Sequence, residues 1–349
     1  METVLTTGGL GFVGSHTCID LINAGYNVLI IDTLTNSQSK VIINIEKILF
    51  EDKKTNNRKG KIFFEKGDLR NQIWLNNIFE KFKNNDNPIY SVIHFAGLKA
   101  VKESVMEPLK YWEWNINSTL SLLFVMKNHN CYNLVFSSSA TVYEPAGEVK
   151  IREDFKKSPI NPYGNTKFSI EKILSDLQSS NPEAWKIAIL RYFNPAGSHE
   201  SGLIGEDPLC SPTNLFPLIV KTGLKKQSHL SIFGKDWPTP DGTCIRDYIH
   251  VTDLAKAHIA ALEFLEINKP QIIFLNIGTG KGHSVLEVVQ TFMQVNDVKI
   301  PYNFKGRREG DHYYAVANNN LALSLLDWQP LKNLEDMCRD SWNYVMNKN

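Results

Sequence analysis

The 349-residue sequence has few cysteines, and they form no pattern. It contains no Cys-x-x-Cys pair and no cluster of histidines, and its five cysteines are scattered at Cys18, Cys131, Cys210, Cys244 and Cys338. Disulfide frameworks and zinc sites need cysteines at close, regular spacing, so the sequence argues against both. We expect reduced cysteines in the core and no bound metal ion.

Long hydrophobic runs and an excess of charge of one sign are also lacking. The purely aliphatic runs span only a few residues, and no charged-then-apolar leader is present, which argues against a membrane span and against secretion. Lys and Arg number 38 and Asp and Glu 37, so no overall basic field favours nucleic acid or an anionic membrane. The expectation is a cytoplasmic protein that binds neither.

Apolar strand candidates alternate with helical segments through the first half of the chain. The candidates are residues 4–6, 28–31, 62–64, 92–95, 134–137 and 187–190. Nearly continuous Val, Ile and Leu in such strands predict a parallel sheet covered by helices on both faces. The sequence therefore predicts an α/β fold of the Rossmann type, with a doubly wound parallel sheet.

The chain is longer than one core usually requires, and beyond Asn194 it becomes rich in Gly and Pro loops. We therefore predict a cofactor-binding domain over residues 1–190. A smaller mixed α/β substrate domain is predicted over residues 191–349, and the segment near 245–268 is a candidate for return to the first domain.

A glycine-rich turn joins the first strand candidate to the first helix. Glycines at Gly8, Gly11 and Gly14 allow a tight turn, close approach to a pyrophosphate and close packing of helix on strand. The second strand ends at Asp32, whose carboxylate can bind the adenosine ribose and repels the extra phosphate of NADP. The order of these features favours an NAD-binding site. The alternative is a glycine turn without a binding role, followed by an ordinary surface aspartate.

Tyr163 and Lys167 lie four residues apart, on one face of a predicted helix. A lysine cation beside a tyrosine favours the phenolate and lowers the pKa of the phenol, which suits proton abstraction from an alcohol. Ser139, in the run Ser137-Ser138-Ser139 after the fifth strand, could bond the same substrate oxygen. A half-buried tyrosine under a lysine stem is the alternative for the pair taken alone.

These motifs together resemble the extended short-chain dehydrogenase/reductases and, among them, the UDP-glucose 4-epimerase family. The resemblance runs from Thr6 to about Trp342. It is carried by the motifs at residues 7–17, 94–101, 136–143, 162–167, 190–195, 246–251 and 307–311.

The resemblance implies a reversible inversion at C4 of UDP-glucose and UDP-galactose. Tightly held NAD takes hydride from C4 while Tyr163 removes the O4 proton, a 4-keto sugar turns about its diphosphate link, and hydride returns to the opposite face. Ser139 would align O4, and Lys167 would tune Tyr163. The partners implied are UDP-hexoses and a second copy of the chain, through the helices around residues 112–126 and 168–177.

The resemblance also assigns binding residues. Those matching the cofactor contacts are Gly8, Gly11, Phe12, Val13, Gly14, Asp32, Asn36, Ser37, Asp68, Leu69, Phe95, Ala96, Gly97, Lys99, Asn115, Ser137, Tyr163, Lys167 and Tyr192. Those matching the UDP-sugar contacts are Lys99, Ser139, Ala140, Thr141, Tyr163, Phe193, Asn194, Asn214, Leu215, Phe233, Arg246, Tyr248, Arg308, Asp311 and Ala315. Arginines suit a diphosphate through bidentate hydrogen bonds, although either one alone could be a plain surface charge.

Ala315 departs from the family pattern. Bacterial members restricted to UDP-glucose and UDP-galactose commonly have a tyrosine there, beside C2 of the sugar. The smaller side chain predicts that UDP-GlcNAc and UDP-GalNAc are also substrates. The alternative is that Tyr313 or Tyr314 fills the same space.

Three other functions compete. A sugar-nucleotide dehydratase shares the fold, but its family has an Asp-Glu acid/base pair where this chain has Ala140-Thr141. A simple alcohol dehydrogenase would release reduced cofactor at each turnover. A non-enzymatic NAD-binding regulator would have no need of Tyr163, Lys167 and Ser139 together.

Overall fold

The structure is a computed structural model, and it describes residues 1–51, 60–144, 147, 149–209, 212–308 and 310–348. Cys210 lies outside the described residues. The other four cysteines are free and buried.

The strands, in chain order, are β1 (Thr3–Thr7), β2 (Asn27–Asp32), β3 (Ile62–Lys66), β4 (Ile89–His94), β5 (Asn133–Ser139), β6 (Lys186–Tyr192), β7 (Asn194–Ala196), β8 (Leu230–Phe233), β9 (Ile245–Arg246), β10 (Tyr248–His250), β11 (Gln271–Ile277), β12 (His283–Ser284), β13 (Tyr302–Lys305) and β14 (Tyr314–Ala315). The helices are α1 (Phe12–Asn23), α2 (Lys40–Glu51), α3 (Gln72–Asn84), α4 (Val101–Met106), α5 (Pro108–Asn128), α6 (Pro162–Ser180), α7 (Leu215–Gly223), α8 (Val251–Ile267), α9 (Val285–Asn296), α10 (Asn320–Leu325) and α11 (Leu334–Lys348).

In the described part of the chain, seven strands form one parallel sheet in the order β11-β6-β5-β4-β1-β2-β3. The predicted doubly wound parallel sheet is confirmed, and each of its first six strands overlaps one of the six sequence candidates. The chain reverses direction of travel across the sheet between β3 and β4, which places a crevice at the carboxyl ends of the strands.

The two faces of the sheet are covered by separate apolar clusters. Val28 and Ile30 of β2 pack into the cluster that includes α1, α2 and α8, while Leu29 and Ile31 pack into the cluster that includes α3, α5 and α6. Successive side chains of a strand point to opposite faces, so a strand that is apolar throughout supplies both clusters. This is the physical reason for the unbroken Val, Ile and Leu runs.

The seventh strand lies beyond residue 190, where the sequence placed the domain boundary. After β6 the chain forms small sheets and α7, then returns through α8, which packs on α1, and β11, which pairs with β6. The boundary stays a prediction, and the sheet includes residues 271–277 that the sequence assigned to the second domain.

The remaining short strands form three small sheets next to the carboxyl edge of the main one. β7 pairs with β10, β8 pairs with β13, and β9 lies between β12 and β14. Apolar side chains of the β7–β10 and β8–β13 sheets pack with α7, α9 and α11 in a third cluster. Among the described helices, none is both long enough and apolar enough to cross a membrane.

Candidate functional site

A cleft of about 730 Å³ lies at the carboxyl ends of the sheet strands, with the small sheets opposite. Gly8 follows β1, Asp32 ends β2, Phe95 follows β4, Ser139 ends β5 and Tyr192 ends β6, and all five line the cleft. Ligands of open parallel sheets bind at this edge.

All the residues predicted above to contact cofactor or substrate line this cleft except Asn115. Asn115 is buried, and its carboxamide oxygen accepts from the Leu98 N–H at 2.8 Å while its nitrogen donates to the Thr166 hydroxyl at 3.0 Å. The structure therefore places Asn115 behind the cleft surface, where it ties the loop after β4 to α6.

The glycine turn is too tightly packed for side chains. At Gly8, where φ is +67°, an added Cβ would lie 2.9 Å from the Ala96 nitrogen, and at Gly14 it would lie 2.6 Å from the Gly8 oxygen. Gly11 caps α1 without a side-chain hydrogen bond, and the first N–H groups of a helix have no partner within it. A cleft-lining helix start of this kind fits the pyrophosphate of a dinucleotide.

Asp32 is held beside that turn. Its carboxylate accepts from the Leu10 N–H at 3.1 Å, from the Ser37 hydroxyl at 2.7 Å and from the Leu34 N–H at 2.9 Å. These bonds fix the carboxylate where it can accept from ribose hydroxyls, as NAD requires.

Arg70 also lines the cleft, and the sequence analysis missed it. Its guanidinium lies 3.9 Å from the Trp114 ring centre and pairs with Asp68 at 2.7 Å and Glu113 at 2.8 Å. The hydrogen bonds from Arg70 lower the pKa of the Asp68 carboxyl. Because two carboxylates neutralise Arg70, it offers little charge to an additional phosphate.

Tyr163 lies in the first turn of α6. The helix begins there because Pro162 occupies its first position and the Asn161 side chain accepts from the Gly164 N–H at 2.8 Å. Lys167, one turn later, is buried, and its ammonium donates to the Ser137 carbonyl at 2.6 Å. The helix thus presents both predicted catalytic side chains to the carboxyl end of β5.

The direction of the Tyr163 pKa differs from the prediction. Burial raises the pKa of the phenol, and a hydrogen bond with Ser139 opposes this only in part. Burial also lowers the pKa of Lys167 to about 8, with the Glu171 carboxylate acting in the opposite direction. The expected lowering of the Tyr163 pKa was wrong for the protein alone, because desolvation of the buried phenol is the largest effect on it.

Glu206 connects two predicted binding residues, and the sequence analysis did not identify it. Its carboxylate accepts from Lys99 at 3.1 Å and from the Asn214 amide at 2.8 Å, and all three residues line the cleft. A Gly-Glu-Asp sequence in a Gly- and Pro-rich loop was the available signal.

The two predicted diphosphate arginines lie on the side of the cleft formed by the small sheets. Arg246 of β9 pairs with Asp311 at 3.1 Å, and the Arg308 guanidinium lies 4.3 Å from the Phe233 ring centre. Both line the same cleft as the glycine turn and Tyr163.

Ala315 lies in β14, opposite Arg246, and lines the cleft. Tyr313 stacks on Trp237, with ring centres 6.2 Å apart. Tyr314 lines the cleft. Of the two tyrosines that could fill the space left by the small Ala315 side chain, Tyr314 is therefore the candidate that remains. Within the described ranges, no group of three or more His, Cys, Asp and Glu side chains is arranged to hold a metal ion.

Comparisons with known proteins extend over nearly the whole chain. A family model described as GDP-mannose 4,6 dehydratase matches residues 5–341. The chain is 48% identical to the UDP-glucose 4-epimerase of Dictyostelium discoideum, over 98% of this chain and 95% of that protein.

Two solved structures are similar throughout. The UDP-glucose 4-epimerase of Stenotrophomonas maltophila, with bound NAD and formylated UDP-arabinopyranose, has a TM-score of 0.92 and 40% identity, covering 100% of this chain and 99% of that one. The enzyme of Bifidobacterium longum, in complex with NAD+ and UDP, has a TM-score of 0.90 and 41% identity, covering 99% of this chain and 98% of that one.

Proposed function

The chain belongs to the UDP-glucose 4-epimerases of the extended short-chain dehydrogenase/reductases, and from that membership we propose that it interconverts UDP-glucose and UDP-galactose. It is an NAD-dependent isomerase that inverts C4 of the sugar. The observation that carries the proposal is the meeting of Ser139, Tyr163 and Lys167 in the same cleft as the glycine turn.

The glycine turn and Asp32 would hold NAD. When bound, NAD would accept the hydride from C4 and later return it. The fit rests on the close packing at Gly8 and Gly14 and on the fixed Asp32 carboxylate. Arg246 and Arg308 would bind the diphosphate of the substrate. Fixing the diphosphate and holding the hexose loosely allows the sugar to present either face of C4.

Tyr163 would take the O4 proton and later return it. Burial raises the pKa of its phenol, so forming the phenolate depends on a positive charge close to it. Lys167 supplies one such charge while it is protonated, and Ser139 aligns the oxygen that exchanges the proton. Removing a substrate proton therefore depends on the ammonium of Lys167.

The competing functions lack support from the cleft. Ala140 and Thr141 line it where a dehydratase needs its acid and base, so no proton donor for water elimination stands at that position. The family model is described by a dehydratase, but the nearly full-length relatives reported above are epimerases.

A direct test is to incubate the purified protein with UDP-galactose and no added cofactor, and to follow the sugar by NMR. We expect UDP-glucose to form until the two sugars reach equilibrium, with no accumulation of reduced cofactor. In a parallel incubation with added NAD+, accumulation of NADH in proportion to turnover would indicate a dehydrogenase. In either incubation, a 4-keto-6-deoxy product would indicate a dehydratase.

We further propose that Ala315 leaves room for an N-acetyl group, so that UDP-GalNAc is also a substrate. Ala315→Tyr should lower the rate with UDP-GalNAc by about tenfold or more and change the rate with UDP-galactose little, because a ring there excludes the larger C2 substituent. Initial rates with both substrates test this, and Ala315→Ser is the size-matched control.

No detectable turnover of UDP-GalNAc by the native protein would contradict this specificity. If Tyr314→Ala then gained that turnover, Tyr314 would be the residue that closes the space beside C2.

We propose that the enzyme is a homodimer joined through α5 and α6. Leu109 and Phe124 on α5 expose 81% and 55% of their surfaces, and Met106 just before α5 exposes 63%. Apolar side chains this exposed on α5 and at the end of α4 are typical of an interface. The free, buried cysteines are consistent with a reducing compartment, so we also propose a cytoplasmic location.

Light scattering should give twice the chain mass of 39.7 kDa. Leu109→Lys should shift the protein toward the single-chain mass, because it places a charge in the interface. Ile267→Lys, at an 85% exposed apolar residue at the end of α8, should not. A native protein with the mass of one chain at micromolar concentration would contradict the proposal.

A further inference from the structure

A buried ion pair lies directly behind the proposed catalytic residues. Glu171 of α6 and Arg191 of β6 have side chains that are 2% and 3% exposed, and two hydrogen bonds of 2.9 and 2.7 Å join them. The second Arg191 terminal nitrogen donates to the Tyr143 hydroxyl at 2.7 Å and to the Glu153 carbonyl at 3.1 Å. The polar groups of the pair are thus well supplied with partners.

Stability alone is a weak reason for such a pair. Removing two charges from water is costly, and well-packed apolar side chains in the same volume are often as stabilising. What a charged, hydrogen-bonded pair offers in addition is a fixed position for the groups that it touches. The neighbours of Glu171 therefore matter.

The serine run (residues 137–139) is tied to three places on α6. The Ser137 carbonyl accepts from Lys167 at 2.6 Å, the Ser138 hydroxyl donates to Glu171 at 2.5 Å, and Ser139 is hydrogen bonded to Tyr163. Tyr163, Lys167 and Glu171 are spaced four residues apart, so they occupy one helix face on successive turns. Glu171 is the third point at which the strand end is fastened to the helix.

Glu171 also acts on the charge of Lys167. Its carboxylate favours the ammonium, against the burial that lowers the pKa of Lys167 to about 8. The other ionisable group that interacts electrostatically with this ammonium is His94 on β4. Burial lowers the pKa of His94 to about 3, so His94 is neutral near pH 7. Among these groups, Glu171 is the anion.

We propose that Glu171, oriented by Arg191, is a positioning residue for proton transfer: it holds the serine run against α6 and keeps the Lys167 ammonium charged beside Tyr163. This inference rests on the proposed epimerase function and adds to it a residue that touches neither sugar nor cofactor. It belongs to the proton-transfer step, so changing it should alter kcat more than KM.

The test compares pH–rate profiles for native enzyme, Glu171→Gln and Ser138→Ala. Glu171→Gln keeps the shape of the side chain but removes its charge, so kcat should fall about tenfold or more with little change in KM. Its alkaline limb should move to lower pH by about one unit, because Lys167 then loses its proton more easily. Ser138→Ala should lower kcat without moving the limb, because the carboxylate remains.

Asp340→Asn is the matched control. Asp340 is also a buried carboxylate, 3.1 Å from His250 and 3.7 Å from Lys332, but it does not touch the serine run. Its replacement can lower the melting temperature but should leave kcat and the alkaline limb unchanged. Comparing the variants at equal folded fraction separates positioning from loss of stability.

An unmoved alkaline limb in folded Glu171→Gln, or a native kcat in Ser138→Ala, would overturn this inference. If Glu171→Gln does not fold, Ser138→Ala decides the outcome. If the native enzyme interconverts the sugars and these variants behave like the native enzyme, the proposed function still holds and only the role of Glu171 is wrong. A native enzyme without interconversion would instead overturn the function itself.

Discussion

Replacing Tyr163 with phenylalanine lowers the rate of UDP-sugar interconversion by about a thousandfold, while bound NAD and the folded state are retained. The variant lacks only the hydroxyl that exchanges a proton with O4 of the sugar. Its ring still fills the same place at the start of α6, where the cap by Asn161 does not involve the hydroxyl. Steady-state rates with UDP-galactose, measured beside the NAD content of the purified protein, check this result.

Tyr132→Phe is the control for the loss of a tyrosine hydroxyl. The Tyr132 hydroxyl bonds the Asn130 side chain at 3.1 Å, on the exposed surface. Its loss should leave the rate within about twofold of native, as expected for a surface change away from the site. If Tyr163→Phe were as active as Tyr132→Phe, the proposed role of Tyr163 in proton transfer would be contradicted.

The second large effect is expected at Gly14. A valine there removes both the cofactor and the activity, because its Cβ alone would lie 2.6 Å from the Gly8 oxygen and 2.8 Å from the Gly9 Cα. Both neighbours are backbone atoms of the glycine turn, so the turn itself must shift. We expect Gly14→Val to be purified with less than about a tenth of the native NAD content, because a displaced turn leaves the pyrophosphate unbound.

Gly306→Val is the matched control, because a Cβ at Gly306 has no neighbour within 4 Å and the residue is exposed. NAD released by denaturing each variant, quantified per chain, compares the two. Equal NAD content in Gly14→Val and Gly306→Val would show that the glycine turn does not hold the cofactor.

Much of the sheet could be predicted from the sequence, since six short apolar runs rich in Val, Ile, Leu and Phe are separated by helical segments. The seventh strand, β11, joins the sheet from a part of the chain that the sequence had assigned to the second domain. Its sequence is strand-like, but the chain reaches it only after passing through the small sheets. Pairing between β11 and β6 is a contact between distant segments, and periodicity along the chain carries no information about it.

The membership of the family could be predicted from motifs, and the comparisons confirm it. The glycine turn, the serine run and the Tyr-x-x-x-Lys pair each have a spacing that the chemistry requires. Their joint presence in one cleft follows from the parallel sheet, because all of them lie at carboxyl ends of strands or in the connections that follow.

Other features of the site depended on three-dimensional contacts. Asn115 has the residue type of a ligand contact, yet its amide is bonded to Leu98 and Thr166, which only the packing of α5 on α6 reveals. The contact of Glu171 with Ser138 joins residues 33 positions apart. The direction of the Tyr163 pKa also could not be predicted, because burial depends on the whole surrounding structure.

The central claim is that the hydrogen removed from C4 returns to the same carbon on the opposite face. The most direct measurement is to convert UDP-galactose carrying deuterium at C4, in ordinary water and without added cofactor, and to locate the label in the UDP-glucose by NMR. We predict complete retention of deuterium at C4. Replacement of the label by solvent hydrogen would contradict the account.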